Sequence, residues 1–402
     1  MSQKISVGID IGSSTIKVIV VESLREDKSK PRVIGVGYAE SDGLRHGYIT
    51  SPEDAAKALR RAIHEAQKTS GYKIEKAYFG IGCAGLEGVV GSSILELGTK
   101  ETVVTTSDIE QALELCQNEL NSTVTRNREV LHAIPLSFKI DGKQIFGKPQ
   151  GMSGLSLEVK AIFITALSQH LNSLLETARL AGIGIEDIVA SPIASSITLL
   201  SKSQQVAGCG LLIVGSESVS LSIFENGVPI SVEVSPLGSR DITNDLALGF
   251  KVSLEEAERI KMSRPESLPY PRRKLEEIVK ARLEDTCDFV HATLKKIGKN
   301  GLLPAGILIT GGGAMSVYIE ELVKEKLKLP AKKIGIKFDG ETKFPLNDAT
   351  WSIAYGLGMI GIERGGESGG DFNFGGTFIK SARHGFVRSL KKLGKLIKRI
   401  LP

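Results

Sequence analysis

The sequence predicts an α/β protein of two duplicated domains facing a cleft, with a smaller α/β subdomain inserted in the first and a basic amphipathic helix at the end. Three observations predict it. A strand–turn–strand–strand pattern opens the chain and recurs from about residue 210, the stretch from about 84 to 165 has a different texture, and residues 380–402 mix apolar and cationic side chains at helical spacing. At 402 residues the chain is too long for one ordinary core.

Ile5 to Asp10 and Ile16 to Val21 read as strands joined by a short turn, and Arg32 to Ala39 as a third. A helix is expected over about 52–69, where Ala56, Leu59, Ala62 and Ile63 recur at helical spacing and Ser51-Pro52 supplies a start signal. Lys76 to Ile81 reads as the next strand. The insert holds a helix near 107–121 and strand-like runs such as Leu131 to Ile140; a helix near 168–181 and a strand from Ile185 to Ala190 then resume the parent pattern.

The second half repeats the opening with strands Gly210 to Gly215, Val219 to Glu225 and Pro229 to Val234. Helices are expected near 239–249, 253–262 and 272–298, with Leu275, Ile278, Ala281 and Leu283 on the core side of the last. The strand Ile307 to Thr310, a triple glycine, and helices near 315–328 and 349–362 complete it.

Composition narrows the function classes. Apolar residues make up 41% and charged residues 24%, the balance of a soluble globular protein. No run approaches the roughly 20 apolar residues of a spanning helix, and Met1 to Ile5 leads into a strand without a signal-peptide core. A cytoplasmic protein is expected. Cys83, Cys116, Cys209 and Cys287 lie far apart with no histidine at ligand spacing, so buried free thiols are expected rather than zinc or disulfides.

The net charge of +5 conceals an asymmetry. Lys380, Arg383, Arg388, Lys391, Lys392, Lys395, Lys398 and Arg399 crowd residues 380–402 without a single acid, so the rest of the chain is mildly acidic. This argues against a nucleic-acid-binding body and for one localised contact with an anionic surface.

Two glycine-rich turns carry candidate ligand chemistry. In Gly8 to Lys17, Gly12 lets the backbone approach an anion, Ser13, Ser14 and Thr15 offer hydroxyls and amides, and Asp10 could hold a hydrated Mg²⁺. An ordinary hairpin with a polar turn is the competing reading. In Ile309 to Ala314, Gly311, Gly312 and Gly313 stand between a strand and a helix, where a flat or anionic group could approach the helix N-terminus.

Taken in order and spacing, these motifs resemble the actin superfamily and, within it, the bacterial cell-division FtsA family. The first turn looks like that superfamily's first phosphate loop, and the triple glycine like its adenosine loop. Ser191-Pro192-Ile193-Ala194-Ser195-Ser196 and Asn347 to Gly358 resemble its two connecting helices. Ala257 to Lys261 resembles the helix whose acid and lysine, here Glu258 and Lys261, reach the ribose and adenine. His132 to Pro135 and Pro149 to Leu155 match the FtsA-type inserted subdomain.

The resemblance implies an actin-like (ribonuclease-H-like) fold around a nucleotide cleft. Subdomain 1A would span 1–83 and 166–195, inserted subdomain 1C 84–165, subdomain 2A 196–243 and 305–362, and subdomain 2B 244–304. It also implies ATP and Mg²⁺ as ligands at Asp10, Gly12, Ser13, Ser14, Thr15, Lys17, Gly215, Ser218, Glu258, Lys261, Gly311, Gly312, Gly313 and Ala314, with Asp10 holding the metal indirectly.

The second phosphate loop departs from the pattern. In Leu211 to Ser220, Ile213 stands where the family carries an Asp, Ser216 and Glu217 replace two glycines, Ser218 keeps a hydroxyl where Thr is usual, and Ser220 replaces a second Asp. A lost carboxylate weakens a Mg²⁺ site. Glu217, if aimed at phosphates, would repel them by roughly 4 kcal/mol at about 4 Å and an effective dielectric near 20; otherwise it would turn to solvent. Weak or absent ATP binding and slow turnover are expected.

Residues 363–379 read as a flexible glycine-rich linker and 380–402 as a membrane-targeting helix. At roughly 100° per residue, Phe386, Leu390, Leu393, Ile397, Ile400 and Leu401 share one face, and Arg388, Lys391, Lys392, Lys395, Lys398 and Arg399 the other. An apolar stripe with a cationic back suits a helix lying in an anionic membrane surface. Docking on the protein's own core or in a partner's groove are the alternatives.

The expected function is therefore a membrane-tethered, actin-like adaptor at the division septum. By resemblance it would polymerise, bind the FtsZ C-terminal tail through subdomain 2B, bind anionic lipids and meet later division proteins. A PilM-type pilus-assembly adaptor lacks this tail, and a sugar or acetate kinase of the same superfold needs an intact second phosphate loop.

Overall fold

Strands β1 (Gln3–Ile11), β2 (Thr15–Leu24) and β3 (Arg32–Glu40) form an antiparallel meander. Val18, Ile19, Val20 and Val21 of β2 are all fully buried, as expected of β-branched side chains in a strand covered on both faces. The computed structural model describes residues 3–24, 31–120, 126–263, 269–336, 344, 349–364, 372–374 and 377–381. Beyond β3, β4 (Leu44–Arg45) and β5 (Tyr48–Ile49) make a small hairpin. Its turn residues His46 and Gly47 have φ of 49° and 77°, the left-handed pair that a two-residue type I′ turn needs.

Helix α1 (Pro52–Ser70) starts as expected, with the Ser51 side chain accepting from the Asp54 amide, and ends at left-handed Gly71. β6 (Lys76–Ile81) then joins β1 in parallel. The insert follows, with β7 (Glu87–Glu96), β8 (Thr102–Val103), α2 (Thr106–Asn118), β9 (Arg128–Ile140), β10 (Lys143–Ile145), β11 (Ser153–Gly154) and β12 (Ser156–Leu167). Its long strands run β7-β12-β9, and α2 buries Ala112, Leu113 and Cys116 against Leu157, Val159 and Phe163 in a core of its own.

The chain re-enters the first half through α3 (Ser168–Ala181) and β13 (Gly184–Ala190), completing a sheet of order β13-β6-β1-β2-β3. After α4 (Ser191–Leu199) and α5 (Lys202–Ala207), the second half repeats the meander with β14 (Cys209–Val214), β15 (Val219–Glu225) and β16 (Val228–Ser235). Helices α6 (Ser239–Phe250), α7 (Leu254–Met262) and α8 (Arg272–Lys296) lead to β17 (Ile307–Thr310), which lies parallel to β14. α9 (Ile319–Leu327), β18 (Ala331–Lys333) and α10 (Ser352–Arg364) end this half.

Several boundaries differ from expectation. The triple glycine runs into a 3-10 turn, Gly312–Met315, and the α-helix expected from 315 begins only at Ile319. The glycines therefore do not form an α-helix N-terminus. Within the stretch read as a linker, α10 extends to Arg364, and β19 (Phe372–Phe374) and β20 (Thr377–Ser381) form a hairpin. Aromatic and β-branched residues such as Phe372, Phe374, Thr377 and Ile379 favour strands here. Lys380 and Ser381 pair with Ala133 and His132 of β9, so these two residues, assigned to the tail helix, lie in a strand.

The second sheet does not stop at β16. Glu233 pairs with Glu87 of β7, and the Val234 amide donates to the Leu86 carbonyl at 3.0 Å. The second half and the insert thereby share one 11-stranded sheet. Helices α4 and α10 pack closely: a Cβ on Gly356 would lie 1.9 Å from the Ala194 carbonyl oxygen, and Ser195 Oγ donates to Ser352 Oγ at 2.9 Å. The four cysteines are free and buried, as expected. Among the described residues no helix is long and apolar enough to cross a membrane, and no group of three or more His, Cys, Asp or Glu is placed to hold a metal.

Candidate functional site

The first turn is built by the β1–β2 register, which sets Asp10 opposite Lys17. Gly12 closes the turn through its amide to the Thr15 carbonyl at 3.2 Å, and a Cβ there would lie 2.9 Å from that oxygen. Lys17 Nζ donates to Thr15 Oγ1 at 2.6 Å. Ser41 fixes the turn from β3's end, its hydroxyl donating to the Gly12 carbonyl at 2.6 Å and its amide to the Ser14 carbonyl at 3.0 Å. Burial raises the Asp10 carboxyl above its usual range against the pull of Lys17, and burial lowers Lys17 against the pull of Asp10. Burial pushes each group toward its neutral form, and the charge of the other opposes that push.

The second turn uses the same device. The Gly215 amide donates to the Ser218 carbonyl at 2.9 Å, and Ile213, paired with Ser220, is buried at the end of β14. The start of α6 packs onto this turn: the Ser239 amide donates to the Gly215 carbonyl at 3.0 Å and the Arg240 amide to the Ser216 carbonyl at 2.8 Å. Gly238 makes the approach possible, since a Cβ there would lie 2.1 Å from the Ser216 oxygen. First-turn amides that a helix N-terminus would otherwise offer to an anion are thus satisfied internally.

Glu217 does not turn to solvent, and that expectation is corrected. It is only 8% exposed. Its Oε2 accepts the His46 amide across the cleft at 2.8 Å, its Oε1 takes the Arg240 guanidinium, and its carbonyl accepts His46 Nδ1–H at 3.0 Å. Burial raises the Glu217 carboxyl, but the His46 amide and Arg240 together bring it below the usual carboxylate range. The neighbouring Gly47 amide donates to Ser13 Oγ at 2.9 Å, so the β4–β5 turn is tied to both glycine turns.

Farther into the second half, a cavity of about 250 Å³ opens beside the triple glycine, lined by Ser239, Ile242, Ile260, Lys261, Leu275 and Tyr318 among others. Two of the three glycines are sterically required. Gly311 has φ of 94° and its Cβ would lie 2.4 Å from the Val214 carbonyl oxygen; a Cβ on Gly313 would lie 2.5 Å from Val214 Cγ1. A Cβ on Gly312 would meet nothing closer than 3.8 Å, and Ala314 is buried. Lys261 Nζ donates to Glu258 Oε2 at 2.7 Å, Thr243 Oγ1 at 2.9 Å and the Ser239 carbonyl at 3.2 Å. Lys261 therefore forms part of the cavity wall, with Glu258 as its ion-pair partner.

The structure thus gathers Asp10 through Lys17, Gly215 and Ser218 around the two turns, and Lys261 with Gly312 and Gly313 around the cavity, whose lining does not include Gly311, Ala314 or Glu258. Sequence reasoning missed His46, Gly47 and Arg240. The one available signal was the His46-Gly47 dipeptide between Arg45 and Tyr48, a turn pattern with a glycine second. Residues Phe386, Arg388, Leu390, Lys391, Lys392, Leu393, Lys395, Ile397, Lys398, Arg399, Ile400 and Leu401 lie outside the described residues.

Comparison with known proteins places this architecture. The family model "Cell division protein FtsA" matches residues 211–355, and the model "SHS2 domain inserted in FTSA" matches 85–165. The chain belongs to the FtsA family. The Pseudomonas aeruginosa cell division protein FtsA is 28% identical to it, over 90% of each chain. The FtsA-family body also shares the actin-like fold of two solved structures. A PilM–PilN type IV pilus biogenesis complex superposes with TM-score 0.66 at 17% identity over 89% of this chain and 98% of that one. MreB5 of Spiroplasma citri, bound to ADP, superposes with TM-score 0.51 at 10% identity over 89% of this chain and 96% of that one.

For ATP and Mg²⁺, the two ends of this cleft give different answers. The cavity and its glycine wall fit a nucleoside. The phosphate end does not fit a Mg²⁺-triphosphate: Asp10 is the single carboxylate of the first turn, Ile213 supplies none, and Glu217 already sits between the turns as an anion.

Proposed function

We propose that the chain is a membrane-tethered, actin-like scaffold of cell division that assembles into filaments and anchors FtsZ to the cytoplasmic membrane at the septum, with little or no ATP hydrolysis. The observation that carries this reading is an acid-free, amphipathic stretch, Phe386 to Leu401, following an FtsA-family body. Each cation near an anionic leaflet contributes roughly 1 kcal/mol, so Arg388, Lys391, Lys392, Lys395, Lys398 and Arg399 together supply several.

Exposed apolar side chains support the remaining contacts. Val90, Ile94, Val103 and Phe146 on the insert offer a surface for self-association, and Leu248 and Leu254, within 244–304, one for the FtsZ tail. The residues around the two turns and the triple glycine form the proposed nucleotide cleft, with weak affinity for Mg²⁺ and ATP. Later division proteins are further proposed partners.

The test is sedimentation of the full-length protein with vesicles of anionic and of neutral lipid. Binding is expected to anionic vesicles only, and to be abolished by I397D or by the combined K391E, K392E, K395E and K398E. Equal binding by wild type and variants refutes the tether. Electron microscopy on anionic lipid monolayers, with and without ATP, then reads filament formation and its nucleotide dependence.

A further inference from the structure

The phosphate end of the cleft holds an anion of the protein's own. Glu217 comes from the second half, reaches the His46 amide of the first, and is paired with the largely exposed Arg240. His46 presents its amide from a left-handed backbone, φ 49°, a conformation that carries a small cost and therefore has to be held by its surroundings. Ser13 holds the adjacent Gly47 amide. The first-turn amides of α6 are consumed by Gly215 and Ser216. A phosphate chain entering between the two turns would meet the Glu217 carboxylate, while the 250 Å³ cavity beside the triple glycine stays open.

We propose that Glu217 is a built-in substitute for nucleotide phosphates: it latches the two halves without a ligand and makes the cleft select nucleosides over nucleoside triphosphates. This rests on reading the cavity as the nucleoside end of the cleft. The physical ground is like-charge repulsion. A phosphate placed near a poorly solvated carboxylate loses binding with every added charge, whereas an uncharged nucleoside feels none of it. A carboxylate bound by one main-chain amide and one guanidinium also supplies the cross-cleft contact that a bound anion would otherwise provide.

The test is calorimetric titration of the full-length protein with adenosine, AMP, ADP and ATP in Mg²⁺ buffer, for wild type, E217Q and E217G. Wild type is expected to bind adenosine at least about tenfold more tightly than ATP, a free-energy difference of about 1.4 kcal/mol or more. Both substitutions should improve ATP binding by about tenfold or more, improve ADP and AMP progressively less, and leave adenosine within about threefold. Hydrogen exchange without ligand should show the His46 and Gly47 amides losing protection in both variants.

A purely structural glutamate would shift the thermal midpoint without a gain that grows with phosphate number. A wild type that binds ATP as tightly as adenosine, a folded E217G that binds ATP no better than wild type, or a protein that binds none of the four probes in any variant overturns the proposal. None of these results bears on membrane sedimentation, so the tether stands or falls separately.

Discussion

The Glu217 carboxylate accepts the His46 main-chain amide at 2.8 Å although 171 positions separate them in the chain. The contact joins the second glycine turn of one half to a two-residue hairpin of the other. E217A removes the acceptor of a part-buried amide and the partner of Arg240, and should lower stability by about 1–3 kcal/mol in denaturant unfolding. The sign of the pH dependence follows from a folded carboxyl lying below its ordinary value of 4.5. The latch is fully present above that value and is lost as pH falls through the lower folded value. E217Q should not show that acid-side loss.

Asp187 and Arg364 form an ion pair at 2.5 Å with side chains 5% and 1% exposed, and the Arg364 guanidinium lies 5.8 Å from the Tyr78 ring centroid. The pair pins the end of α10 to β13. D187A removes the buried carboxylate from the Arg364 ion pair and should lower stability by about 3 kcal/mol or more by chemical denaturation. The double substitution D187L/R364M should recover most of that loss.

The triple glycine divides into two required residues and one tolerant one. G312A should change the thermal midpoint little, because the new methyl meets nothing closer than 3.8 Å. G311A and G313A should each lower it measurably, the first through a φ of 94° and a carbonyl at 2.4 Å, the second through contact with Val214. Equal effects at all three would contradict this division.

His170 stacks on Tyr48 with ring centroids 3.7 Å apart, and burial pushes its imidazole down to about 4 from an ordinary 6.5. Between those values the unfolded chain binds a proton that the folded chain does not, so stability should fall as pH drops from about 6.5 to about 4. A loss of about 1–2 kcal/mol is expected, discounted from the full shift because the ring is partly exposed. H170F should flatten the unfolding profile over that window.

Much of the fold was legible because its periodicities are local. β1, β2, β3, α1, β13 and the second meander were each visible from alternation, helical spacing or a start signal within a few residues. The small hairpin carrying His46 was missed because two-residue strands leave no periodic trace. The 3-10 turn at Gly312–Met315 was missed because glycines do not distinguish it from a helix start. The β19–β20 pairing was hidden by reading glycine density as flexibility, although Phe372 to Phe374 and Thr377 to Ser381 are strand-forming runs.

By itself, the sequence determined the duplicated α/β order, the insert, the two glycine turns, the altered second loop and the charge asymmetry of the tail. Each is a pattern of neighbours along the chain. Only the tertiary structure decided that β16 continues into β7, that Lys261 is tied to Glu258 beside the cavity, and that Glu217 faces His46 and Arg240 instead of solvent. The physical reason is that a side chain's charge is legible from its letter, but its partner depends on where distant backbone amides and guanidinium groups converge after folding.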